Sequence, residues 1–146
     1  MADTIADALP RMAERQPDAV ALWLPDSLKA KAPVNYTSVS YAELAADCDE
    51  VAAGLSALGV DKGVRVAVMV KPGRELFSLT FALFRLGAVP VLIDPGIGLK
   101  ALKTCLGEAC PSFFIGIPAA HIARLLFGWG KASVEHTISV GPRAFW

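Results

Sequence analysis

The chain has no net charge to spare: 14 Lys and Arg balance 14 Asp and Glu over 146 residues. Without a cation excess there is no counterion-release drive toward a nucleic-acid backbone, and without a Lys/Arg cluster there is none toward an anionic membrane surface. No leader is expected, because Met1-Ala2-Asp3-Thr4 opens with an acid instead of a basic region and an apolar run. The best candidate for a membrane span, residues 76–93, carries Arg85 at its middle and the helix breakers Gly87 and Pro90, so no span is expected. Cysteine is scarce and odd in number. Cys48, Cys105 and Cys110 show no CxxC spacing, which indicates neither a disulfide framework nor a zinc site and leaves reduced thiols in a cytosolic interior. The expected setting is cytoplasmic, with small molecules or protein as partners.

What is present is apolar. Hydrophobic residues make up 54% of the chain and 12 glycines come on top, against roughly 45–50% for the comparable set, glycine included, in average soluble proteins. Such an excess implies that something beyond this chain covers part of its surface.

Residues 5–16 place Ile5, Leu9, Met12 and Ala13 at helical spacing before Pro17. Residues 19–24 and 34–41 have strand composition, with a surface loop over 26–33 between them. Ser40-Tyr41-Ala42-Glu43 fits a capping box, and the helix it starts carries Leu44, Cys48, Val51, Ala52, Leu55 and Leu58 on one face, with Gly59 as its stop. Asp47, Asp49 and Glu50 read as its solvated side. From residue 64 strands and helices alternate: strands over 64–70, 89–93, 113–117 and 137–140, helices over 74–86, 99–109 and 119–127. The helix over 74–86 is apolar nearly all round, which predicts burial between layers. Continuous apolar strands separated by helices predict an α/β fold with a three-layer (αβα) parallel sheet.

Chemistry-bearing patterns are few. Gly96-x-Gly98-x-x-Ala101 fits a dinucleotide-binding fingerprint and lies between a strand and a helix. The acid needed about 20 residues later to hold the ribose is absent, since Phe114-Ile115-Gly116-Ile117-Pro118 occupies that region. Asp94-Pro95 before the glycines suits a rigid turn, although Asp94, at a strand's carboxyl end, is the best single polar candidate for a ligand role. Gly128-Trp129-Gly130-Lys131-Ala132-Ser133 has Gly, Lys and Ser but follows a helix and lacks phosphate-loop spacing. His121 has no supporting acid or nucleophile at a useful spacing, and His136 has only its neighbour Glu135. No catalytic, cofactor-binding or metal-ligating residue is therefore assigned within the chain.

Ser40-Tyr41-Ala42-Glu43-Leu44, residues 55–59, Gly63-Val64-Arg65-Val66-Ala67-Val68, and Gly73 through Gly87-Ala88-Val89-Pro90-Val91-Leu92-Ile93-Asp94-Pro95 occur in the order and spacing of one known pattern. The chain resembles the N-terminal region of the adenylate-forming superfamily of acyl-CoA synthetases. Residues 92–98 followed by 114–118 look most like its olefin-biosynthesis β-lactone synthetase branch. The resemblance makes residues 1–146 an incomplete N-terminal portion of an AMP-binding large domain, with no separate second domain. It implies an ATP- and Mg-dependent acyl ligase acting on long-chain fatty acids, β-hydroxy acids among them. That family's phosphate loop, ribose-binding Asp and C-terminal-domain Lys have no match here, so the chain is expected to be scaffold, inactive alone, prone to self-association, and completed by a C-terminal part of the same enzyme. Two other readings are a non-catalytic interaction module derived from that fold and a small Rossmann-like nucleotide binder using Gly96 and Gly98.

Overall fold

The computed structural model describes residues 4–26 and 34–141. They divide into two packing units, Met1–Leu58 with Pro72–Arg85, and Gly59–Lys71 with Leu86–Trp146.

In the first unit a 3-10 turn, Ile5–Asp7, leads into α1, Ala8–Arg15. Thr4 donates to Asp7 Oδ2 from both its N–H and its hydroxyl, at 2.9 and 3.0 Å, and this tightens the first turn of the expected helix. The strands β1, Val20–Pro25, and β2, Tyr36–Ser40, pair antiparallel with an irregularity between Val20 and Leu22. Of the expected loop over 26–33, Asp26 donates its N–H to Asn35 O and accepts from the Thr37 hydroxyl; positions 27–33 lie outside the described residues.

The helix α2, Tyr41–Ala57, begins at the expected capping box. Ser40 Oγ accepts from the Glu43 N–H at 3.2 Å, and Glu43 Oε2 accepts from the Ser40 N–H at 2.8 Å. Leu44, Cys48, Ala52 and Leu55 are buried on one face. Leu58 is instead 56% exposed, because it is the capping residue past the last helical turn. Leu9, Val39, Leu44 and Cys48 form the core of this unit, with Leu22, Leu24 and Phe81 packed against it. Burial, reinforced by Asp47 and Asp49, pushes the Cys48 thiol up to about 11.

The last element of this unit, α3, Arg74–Arg85, corrects two expectations. It buries one stripe, Ser78, Leu79, Ala82 and Leu83, while Phe77 is 40% exposed. The acidic side of α2 is not simply solvated: Arg74 grips Asp47 with two hydrogen bonds, at 2.5 and 2.9 Å, and Arg85 pairs with Asp49. Two ion pairs along facing helices fix the axial register that apolar contacts leave loose. Each side chain remains partly in water, so each pair contributes about 1 kcal/mol at most.

The second unit is a four-stranded parallel sheet in the order β4-β3-β5-β6, built from β3, Arg65–Met69, β4, Val89–Leu92, β5, Phe113–Gly116, and β6, His136–Ser139. Val66 lies opposite Pro90 on one side and Phe113 on the other, and Ile115 lies opposite Ile138. Two helices, α4, Leu99–Ala109, and α5, Pro118–Phe127, join the strands. Leu102 and Leu106 from α4, and Ala120 from α5, pack with Ala67, Met69 and Phe114 on one face of the sheet. Val66, Val68, Phe113 and Ile115, which point to the other face, are buried as well. The parallel α/β sheet with flanking helices is as the sequence predicts. At its amino end Gly63 and Gly87 both have positive φ, +83° and +67°, and the Gly63 N–H donates to Gly87 O at 2.9 Å, which starts β3 and β4 side by side.

The thiols correct another expectation. Only Cys48 is interior; Cys105 and Cys110 are exposed and free. Leu102 and Leu106 define the buried stripe of α4, so Cys105 falls beside it, and Cys110 follows the helix as its left-handed capping residue with φ +44°. No helix among the described residues is long and apolar enough to cross a membrane.

The capping box yields a stability test. Ser40→Ala removes the acceptor for the Glu43 N–H and should cost about 1 kcal/mol in denaturant unfolding. Hydrogen bonding from the Ser40 backbone, then from its side chain, holds the Glu43 carboxyl below its ordinary 4.5. The contribution of Glu43 is therefore complete above the unfolded value and lost as pH falls through the lower folded one. Glu43→Gln should unfold with a shallower loss of stability below about pH 4.5 than the parent; parallel curves would show that the carboxylate is not bound there.

Candidate functional site

In the second unit β3 is followed in sequence by β4 on one side and then by β5 on the other. In open parallel sheets ligands sit outside the carboxyl ends of the strands where the winding reverses in this way. The edge in question carries Lys71 beyond β3, Asp94 to Gly98 beyond β4, and Gly116, Ile117 and Pro118 at and beyond the end of β5. Ladder bonds continue past the strand ends, with Ile117 N–H donating to Met69 O and Ile93 N–H to Val68 O, both at 3.1 Å.

Asp94 caps a 3-10 turn, Pro95–Ile97: its Oδ1 accepts the Gly96 N–H at 2.8 Å. The donor that a dinucleotide fingerprint would aim at a phosphate is thus already occupied by a carboxylate, whose charge would also repel one. Gly98 follows with φ +87° and ψ 150°, a region open essentially to glycine alone, and its carbonyl accepts from Leu102 N–H to start α4. Residues 97–101, Thr104 and Cys105 line an open concavity in which Lys100 is the one cation. These residues do not fit a nucleotide, and no step of ATP chemistry is assigned to them.

Gly116 is a close-packing position that the sequence patterns do not single out. A Cβ there would lie 2.8 Å from Phe114 Cε1 and 3.1 Å from Ala120 Cβ. The only available signal was a glycine ending an apolar strand just before Pro118, the first residue of α5.

The two histidines are engaged separately. His121 contacts Ile138 O through Nε2 at 3.0 Å and meets the Phe114 ring edge-on. His136 stacks on Phe113 with ring centroids 4.7 Å apart, while its N–H and that of Glu135 donate to Ser112 O. Among the described residues no group of three His, Cys, Asp or Glu side chains is placed to hold a metal ion. Gly128-Trp129-Gly130-Lys131-Ala132-Ser133 forms consecutive turns. Trp129 N–H donates to Arg124 O, Ser133 and Val134 N–H to Gly130 O, and the Trp129 ring enters the core of the unit.

Residues 9–143 match the family model described as AMP-binding enzyme. The chain belongs to that family. It is 49% identical over 143 residues to the olefin beta-lactone synthetase of Xanthomonas campestris pv. campestris and 48% identical over 144 residues to that of Stenotrophomonas maltophilia. Each alignment covers 97% of this chain and 26% of the relative, so this AMP-binding family chain spans about a quarter of the length of those relatives. A solved Rhodopseudomonas palustris structure, described as a candidate long-chain-fatty-acid CoA ligase, superposes with a TM-score of 0.81 at 21% identity, over 98% of this chain and 34% of that one. That likeness shows the fold.

Gly98 separates a turn from a ligand site. A Cβ at Gly98 meets nothing within 4 Å, so its cost is purely conformational. Gly98→Ala in the full-length protein should lower stability by about 1–3 kcal/mol and leave ATP affinity within about twofold of the parent. Lost ATP affinity at an unchanged melting temperature would return the glycine pair to the nucleotide.

Proposed function

We propose that this chain is the N-terminal scaffold of an ATP-dependent, AMP-forming acid ligase whose substrate is a long-chain β-hydroxy acid and whose product is a β-lactone. The observation that carries the reading is the identity of 49% and 48%, over nearly the whole chain, to two olefin beta-lactone synthetases. The ordered family motifs and the parallel sheet support it. ATP and Mg belong, in this reading, to residues of the whole protein outside this chain, and the chain alone is inactive. Its part is mechanical: a sheet whose two central strands are buried on both faces presents a rigid carboxyl edge on which an acyl pocket can be completed. Leu125 and Leu126, 67% and 74% exposed on α5, are apolar surface of the kind that favours self-association when the chain stands alone. The setting is the cytoplasm.

The test uses the full-length protein with ATP and magnesium, supplied either with a long-chain 2-alkyl-3-hydroxy acid or with a plain fatty acid plus coenzyme A, and mass spectrometry of the products. The β-lactone with AMP and pyrophosphate is expected from the hydroxy acid. Thioester alone would overturn the lactone assignment and retain the acid ligase, and no ATP consumption with any acid would overturn both. The 146-residue chain by itself should show no ATP–pyrophosphate exchange above a mock preparation.

A further inference from the structure

The turn that closes α5 holds three buried polar atoms with no hydrogen-bond partner among the described residues: Arg124 Nε, Trp129 Nε1 and Ser133 Oγ. Trp129 is only 2% exposed. The guanidinium and indole nitrogens are obligate donors, and the hydroxyl can donate. Leaving a buried donor unpaired costs about 1–3 kcal/mol, and few such groups occur in native proteins. Three within one turn call for an acceptor that the described residues do not supply.

The three residues are bound together by that turn. The Trp129 N–H donates to Arg124 O at 3.0 Å, Ser133 N–H donates to Gly130 O at 3.1 Å, and Ser133 Oγ lies 3.9 Å from where a Cβ on Gly130 would stand. Packing fixes both planar donors. Arg124 Cζ sits 5.8 Å over the Phe114 ring, and Trp129 stacks on Phe127 with centroids 5.5 Å apart. Within residues 109–134 the sequence has Arg124 and Lys131 but no Asp or Glu, the first acid after the turn being Glu135, so the segment itself carries cations and no carboxylate to accept from these donors.

We propose that the α5 turn is a binding site for a small anion, held by donors from Arg124, Trp129 and Ser133. The site is independent of the proposed lactone chemistry, because it uses none of the residues at the carboxyl edge of the sheet.

The experiment follows the indole N–H of Trp129 by NMR in the full-length protein labelled with [15N]tryptophan, in a zwitterionic buffer, during separate titrations with inorganic phosphate and with sodium chloride. Loss of one cross-peak in Trp129→Phe assigns it. A saturable displacement of that cross-peak, by either anion, is expected, and the anion that saturates at lower concentration identifies the preferred class. Ser133→Ala, which removes one hydroxyl and little volume, should raise the half-saturation concentration about tenfold. Arg124→Lys, which keeps the charge without an Nε–H, should do at least as much. A Trp129 cross-peak indifferent to both anions, as an enclosed water would leave it, overturns the proposal. So does a linear shift shared with the other indoles, or an unchanged saturation curve in both variants.

Discussion

β3 is hydrogen-bonded along both edges and withdrawn from water on both faces, and its neighbouring strands are held to it by that constraint. Val66, Ala67 and Val68 are almost completely buried. A backbone in that position has no access to solvent, so each N–H and C=O must find a strand partner, which β4 and β5 supply on either side. Parallel partners require the chain to return to the same end of the sheet each time, and α4 serves as one such return while covering Ala67, Met69 and Phe114. The Gly63–Gly87 contact, the Arg65 guanidinium donating to Ala109 O at 2.7 Å, and the tight spacing around Gly116 all serve the register of this central strand.

Most of this was legible in the residues because the signals were local. The capping box at Ser40 and Glu43, the β-branched run through β3, and the span of α4 each follow from chemistry within a few neighbours. What was not legible depended on partners far away in sequence. Asp47 and Asp49 read as solvent-facing because Arg74 and Arg85 stand 27 and 36 positions later. The exposure of Cys105 depended on which stripe of α4 meets the sheet, and that of Cys110 on where the helix ends, neither of which the cysteine spacing announces. The fit of Gly116 likewise depends on the rotamer of Phe114, which no spacing rule contains.

The candidate site was legible in a different sense. Strand-then-glycine placement correctly located the carboxyl edge, but residue types alone left two uses open for the same Gly96 N–H, a turn or a phosphate. A single hydrogen bond from that N–H to the Asp94 carboxylate distinguishes them. Such choices between internal and external partners are decided by geometry of tenths of an ångström, and a one-dimensional pattern does not carry it. Family membership, by contrast, is distributed over the chain, which is why loose motifs in the right order carried more about function than any one of them.

Pro90 stands inside β4, the outermost strand on its side of the sheet. Val89 and Ile93 donate inward, to Val64 O and Val68 O, so the alternate position at residue 90 faces outward. Proline has no N–H to offer there. A foreign strand approaching this border would meet a gap in the row of donors and the bulk of a pyrrolidine ring, and could not zip along it in register. Strand-to-strand pairing is thereby blocked along the β4 border, and a molecule that met this border would have to do so through side chains, a contact without the repeating register that a fibril needs.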